Sequence, residues 1–172
     1  MADYSSSDDE QKQKAAAVDS LVEKLEEFCS SDELSLNALR DKIRSIPVDA
    51  LQNSYFFHDA CNNARVSLEI VEFLLENFPG AARATVQYGD DNVGATVAYP
   101  LHLACYNLQC PSSVIALLLK RNPSAISHLC IVEDGVPSGE YDGNYVMGLP
   151  LHYYLGRKSN IDIGIVRVLV DA

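Results

Sequence analysis

His58 and Pro79 are 21 residues apart, and so are His102 and Pro123. Cys61 and Cys105 each follow their histidine by three positions. His152 begins a third copy, in which the matching proline position is 173, one past the last residue. Counting back 21 from Pro47 reaches Glu26, three residues ahead of Cys29. A spacing that returns with the same residue types at both ends restricts the chain to copies of one small unit. Four units share the register: 15–51, 54–98, 99–148 and 149–172.

The segment 99–126, YPLHLACYNLQCPSSVIALLLKRNPSAI, shows the unit most clearly. A short apolar helix opens at Pro100 and breaks before Pro111. A second helix covers Val114 to Arg121 and stops at Pro123, where the missing amide hydrogen ends it. Upstream, Val18, Leu21, Val22, Leu25 and Phe28 form one apolar stripe at spacings of three and four. Ser30-Ser31-Asp32-Glu33 offers a capping-box signal for the next helix, which carries Leu36, Leu39 and Ile43. Ser54 to Cys61 and then Val66 to Leu75 repeat the pair. Leu149 to Leu155 and Ile161 to Val170 supply the last one. A pair of this size cannot bury its apolar face alone, so neighbouring units must support each other. Each stacked Leu or Ile contributes roughly 1.5–3 kcal/mol.

Two inserts interrupt the helical pattern. β-Branched residues on both sides of Gly89-Asp90-Asp91-Asn92 predict a β-hairpin over 83–99. A longer finger spans 128–148, with Cys130-Ile131-Val132 as one arm and Tyr145-Val146-Met147 as the other. The expected fold class is therefore all-α: an α-solenoid of stacked helix–turn–helix units joined by β-hairpin fingers. Residues 1–14 lack periodicity and apolar content and are expected to be a disordered acidic tail. Ser5, Ser6 and Ser7 stand there before an acidic run that acidophilic kinases accept. The first unit, with Asp41 and Lys42 where the third has Leu117 and Leu118, reads as a polar cap. In the last unit, Ile163, Ile165, Val166, Val168, Leu169 and Val170 spread apolar surface around the helix, a pattern expected of an array that continues.

Charge excludes some functions. The formal net charge is −11, of which −7 falls in residues 1–33. That field repels nucleic acid and anionic lipid, and no Lys/Arg cluster reverses it. The longest apolar run, Val114 to Leu119, is far short of the about 20 residues a spanning helix needs. With no signal peptide and an odd number of cysteines, an intracellular, cytoplasmic setting with reduced thiols is expected.

Pro100-Leu101-His102-Leu103-Ala104 and Pro150-Leu151-His152 resemble the T-P-L-H-x-A opening of ankyrin repeats. The resemblance covers about 15–172. The Thr is replaced by Tyr99 and Leu149, and Phe56-Phe57 stand where Pro-Leu would precede His58. The histidines are 44 and 50 residues apart, against about 33 in the family. The excess lies in the fingers, since the His-to-Pro spacing is constant. The resemblance implies a structural role for His58, His102 and His152 within the units. It also implies recognition of a partner protein through the concave face.

Zinc needs ligands converging to within about 2.0–2.3 Å of one point, and equivalent residues of a linear stack lie a unit apart. Cys29, Cys61 and Cys105 read as small buried residues, with Cys110 and Cys130 less constrained. No phosphate loop, G-x-S-x-G or H-E-x-x-H occurs, so no cofactor or catalytic residue is expected. The fingers are acidic and rich in Tyr, which favours a basic protein partner. The expected contacts are Tyr88, Asp90, Asp91, Tyr106, Tyr141, Asp142 and Tyr153. Two other readings fit the same residues: a fragment whose activity lies beyond Ala172, and a structural protein that assembles with itself.

Overall fold

A computed structural model describes residues 6–51, 54–88, 96–133, 145–156 and 161–171. The first helix, α1 (Ser6–Ser30), buries Leu25, Phe28 and Cys29 and half-buries Val18, Leu21 and Val22. It starts at Ser6, not Ala15, so most of the expected tail is helical. Residues 10–17 are exposed. Their Glu, Gln, Lys and Ala hold the helix by backbone propensity, without packing.

The helices then come in pairs: α2 (Leu36–Arg44), α3 (Phe56–Asn62), α4 (Leu68–Asn77), α5 (Pro100–Tyr106), α6 (Ser112–Arg121), α7 (Pro150–Leu155) and α8 (Ile163–Asp171). Their starts follow local chemistry. Ser67 caps α4 by accepting the Ile70 N–H, and Pro100 and Pro150 open α5 and α7 with φ already helical. The capping-box signal at Ser30–Glu33 does not cap α2, whose N-cap is Ser35. Ser31 instead closes a turn, donating to the Phe28 carbonyl and accepting from the Glu33 N–H.

Between α4 and α5, β1 (Val86–Tyr88) pairs antiparallel with β2 (Thr96–Ala98), with Val86 opposite Ala98 and Tyr88 opposite Thr96. Between α6 and α7, β3 (Cys130–Glu133) pairs with β4 (Tyr145–Gly148), with Cys130 opposite Gly148 and Glu133 opposite Tyr145. These are the arms expected of the two fingers. Residues 89–95 and 134–144, where the tips were expected, lie outside the described residues.

Neighbouring helices pack in a regular way. α1, α3, α5 and α7 contact one another in succession, as do α2, α4, α6 and α8, and β2 lies against β3. One core runs between the two rows. Leu25, Leu39, Phe57, Val71, Leu74, Leu101, Ile115, Leu118 and Tyr154 are essentially inaccessible. At one end Lys42 covers the Phe28 ring and Arg40 the Phe73 ring, so the charges of α2 screen apolar edges. At the other, Ile165 and Leu169 point inward while Ile163 and Val170, both 62% exposed, point outward.

Two buried asparagines hold successive pairs in register. Asn107 donates from Nδ2 to the carbonyls of Cys61 (3.1 Å) and Asn63 (2.8 Å). Asn63 donates from Nδ2 to the carbonyls of Cys29 (2.8 Å) and Ser31 (2.6 Å). Each also accepts a backbone N–H two residues ahead, from Gln109 and Arg65. The ends of α3 and α5 thus each reach back to the end of the first helix before it. Asn122 does the same along the second row, donating to the Ala82 carbonyl at 3.0 Å.

Asn63→Ala strands buried carbonyls of α1 and of the turn after it. Its expected cost is about 2–4 kcal/mol. The exposed neighbour Asn62→Ala should cost less than about 0.5 kcal/mol. Urea denaturation of the two variants checks the contrast.

Candidate functional site

The histidines sit at the third position of α3, α5 and α7, one turn in from the cap. In α5 the Tyr99 N–H donates to Nδ1 of His102 at 3.2 Å. In α7 the Leu149 N–H donates to Nδ1 of His152 at 2.9 Å. The return bond comes from the backbone, His102 N–H to the Tyr99 carbonyl and His152 N–H to the Leu149 carbonyl, both at 2.9 Å. Nδ1 is therefore an acceptor, and the proton of a neutral ring lies on Nε2. His102 uses that proton on the His128 carbonyl at 2.8 Å, tying α5 to the turn after α6. His102 is fully buried, and burial pulls its pKa below the ordinary value. His152 is exposed. Gly148 lets the strand pass over it, since a Cβ there would stand 2.9 Å from His152 Cβ.

His58 departs from this pattern. It is 2% exposed, and neither ring nitrogen has a hydrogen-bond partner. The amide that would serve Nδ1, the N–H of Tyr55, donates instead to Oε1 of Glu26 at 2.6 Å. Glu26 stands where the other units carry histidine. Its carboxylate crosses from α1 to the start of α3 and captures the donor. Ala84, 26 residues after His58 as His128 is after His102, occupies the place of the second partner. The backbones of Ala84 and Ala98 act on the ring without completing a hydrogen bond. Desolvation dominates and brings the His58 pKa down to about 4. Next to it, burial and the Glu26 charge push Asp59 up to about 6.

The expected contact residues fare differently. Tyr153 is 4% exposed, and its hydroxyl donates to the Cys130 carbonyl at 2.6 Å. It joins α7 to β3 and is not a surface contact. Tyr106 is half-buried, edge-on to Tyr153 with ring centroids 6.2 Å apart. Tyr99 and His102 stack nearby, and His128 meets both edge-on. Tyr88 ends β1. Asp90, Asp91, Tyr141 and Asp142 lie outside the described residues. Pro100, Leu101, Ala104 and Pro150 are buried and Leu151 half-buried, as packing members of the repeat motif should be.

All five cysteines are buried, including Cys110 and Cys130, which the sequence left undecided. Burial raises Cys29 to about 12 and Cys130 to about 11, and lifts Cys61 well above its ordinary value. These are protonated thiols, poor nucleophiles and poor ligands. Among the described residues no three His, Cys, Asp or Glu side chains are grouped to hold a metal ion. Nor is any described helix long and apolar enough to cross a membrane. No family model matches the chain, and neither a curated protein nor a solved structure matches it. Sequence reasoning passed over Asn63 and Asn107, although each follows its histidine by five residues.

His58 and Asp59 impose opposite pH slopes on stability. The folded chain keeps His58 neutral, so its contribution is complete above pH 6.5 and is lost as pH falls to about 4. Asp59 is protonated in the folded chain where the unfolded chain has released the proton. Its contribution is present below about 3.8 and is lost as pH rises through about 6. In Asp59→Asn the second slope is removed. Stability should then climb more steeply between pH 4 and 6.5 than in the parent chain. Urea midpoints taken across this range test it, and a slope no steeper than the parent's counts against it.

Proposed function

We propose that this chain is a non-catalytic interaction module, an ankyrin-like solenoid that binds a partner protein through its finger side. One observation carries the reading. The bonds from Asn107 to Cys61 and Asn63 reappear, one unit back, from Asn63 to Cys29 and Ser31. The same bonds at two successive steps are how a stack of copies is held, and stacking yields an extended surface rather than a closed pocket. The P-L-H openings at Pro100 and Pro150 and the histidine-capped helix starts support the same family likeness.

The partner side is the side of the paired strands. Tyr88, Asp90, Asp91, Tyr106, Tyr141 and Asp142 remain the proposed contacts, and Tyr153 supports Tyr106 from behind. The carboxylates of the two inserts complement a basic partner, and Tyr supplies contact area at low entropic cost. The buried His58 and His102 and the protonated thiols of Cys29, Cys61 and Cys130 suit a scaffold better than a reaction centre.

The four-alanine variant at Asp90, Asp91, Glu140 and Asp142 tests the charge complement. Its affinity for a captured basic partner should fall about ten-fold or more, and the salt dependence of binding should flatten. Unchanged affinity and unchanged salt slope would refute this reading.

A further inference from the structure

The second helix of a unit keeps one stripe on the solvent side even where neighbours flank it on both sides. In α6, which packs between α4 and α8, that stripe is Ser113, Ala116 and Lys120, all exposed. The 44-residue step from His58 to His102 places Glu69, Glu72 and Glu76 of α4 at the same positions, and these are exposed too. The 50-residue step from His102 to His152 places Ile163, Val166 and Val170 of α8 there. Ile163 and Val170 are each 62% exposed, and Val166 is half-buried. Stacking does not cover this stripe, since α6 keeps its own open with α8 packed against it. What the flanked third unit does bury is Cys105 and Leu118, the counterparts of Leu155 and Val168. Thus α8 is apolar at positions that the repeat itself leaves in water.

We propose that this stripe is the contact between two copies of the chain, α8 against α8 about a two-fold axis. Apolar residues spaced by three and then four form the seam along which one helix packs on another. An antiparallel pair sets Ile163 opposite Val170 at both ends, with Val166 at the centre. Exposed apolar side chains gather around it. Of the nine large ones among the described residues, five lie in the last unit: Leu155, Ile161, Ile163, Val168 and Val170. A concentration of this kind marks an interaction surface. Charge selects the occupant. Residues 149–172 hold Arg157, Lys158 and Arg167 against Asp162 and Asp171, a net of +1, which leaves −12 of the total −11 on the rest of the chain. This end does not attract a basic partner, and the molecule as a whole repels an anionic membrane. A second copy brings the same nearly neutral end, while its acidic first unit stays at the far end of its own stack. The matching stripes of α4 and α6 are charged or polar and would not cover α8, so the contact is with the same surface on the partner and closes at two copies. The stripe shares no residue with the finger contacts proposed above, so either reading can fail without the other.

Sedimentation velocity of the full chain, from micromolar to sub-millimolar concentration, is the test. The expected result is a monomer–dimer equilibrium that tightens with added salt, because apolar burial drives it and screening weakens the repulsion between two acidic chains. Ile163→Glu combined with Val170→Glu should weaken dimerisation about ten-fold or more. Ser113→Glu combined with Lys120→Glu, at the same positions of α6, should leave it unchanged. Circular dichroism checks that the variants fold, and Ile163→Ser with Val170→Ser takes the place of the glutamate pair should that pair unfold. A chain that stays monomeric over the whole range overturns the proposal, including one that binds neutral phosphatidylcholine vesicles instead. A dimer that the α8 variants leave intact, that the α6 pair weakens equally, or that loosens with salt overturns it as well.

Discussion

The amide side chains of Asn63 and Asn107 set the geometry that everything else follows. The last carbonyls of a helix have no partner within it. The carbonyls at and just past the ends of α1 and α3 are wholly or partly buried, so water serves them poorly. Each asparagine spans to two of them while its own oxygen takes a local N–H, so all its hydrogen-bonding capacity on that side is used. Apolar burial supplies most of the stabilisation, but it is non-directional and tolerates sliding. The hydrogen bonds do not. They fix which residue of one helix meets which residue of the next.

That requirement explains the histidines. Once the first helices are locked side by side, their starts are crowded, and the cap must be satisfied from within. A histidine at the third position does this by accepting the cap N–H, and where a carbonyl is in reach it donates forward as well. His102 makes both bonds and His152 one. His58 lacks the first of these bonds, because Glu26 of the first unit takes the Tyr55 N–H instead. One substitution in the register therefore produces an unusual residue in the next unit.

Much of this was legible in the sequence. Constant His-to-Pro spacing located the helix pairs, and β-branched arms around Gly and Asp located the strand pairs. What could not be read was partnering. Tyr153 has the amphipathic character of a surface contact, but only the position of β3 shows that its hydroxyl is used by Cys130. Ser30 to Glu33 has the composition of a cap, and the chain uses it as a turn because Ser31 faces the Phe28 carbonyl. The helical start at Ser6 reflects propensity summed over exposed residues, which an argument from burial undervalues. Asn63 and Asn107 were in plain register, yet asparagine after a short helix is also an ordinary loop residue. The difference lies in carbonyls 32 to 46 positions away.

A single residue joins each strand pair to the helix after it: Tyr99 between Ala98 and Pro100, Leu149 between Gly148 and Pro150. Proline fixes one side of that joint, and the histidine three residues on holds the amide of the joint itself. Gly148 is pressed against His152 too closely for a side chain. Such a joint has little room to swivel. The strand pairs are then levers rooted in the helical rows, and a small change in tilt between units would be magnified at their far ends. A molecule that grips two levers at once would in effect be measuring the spacing of the units beneath them.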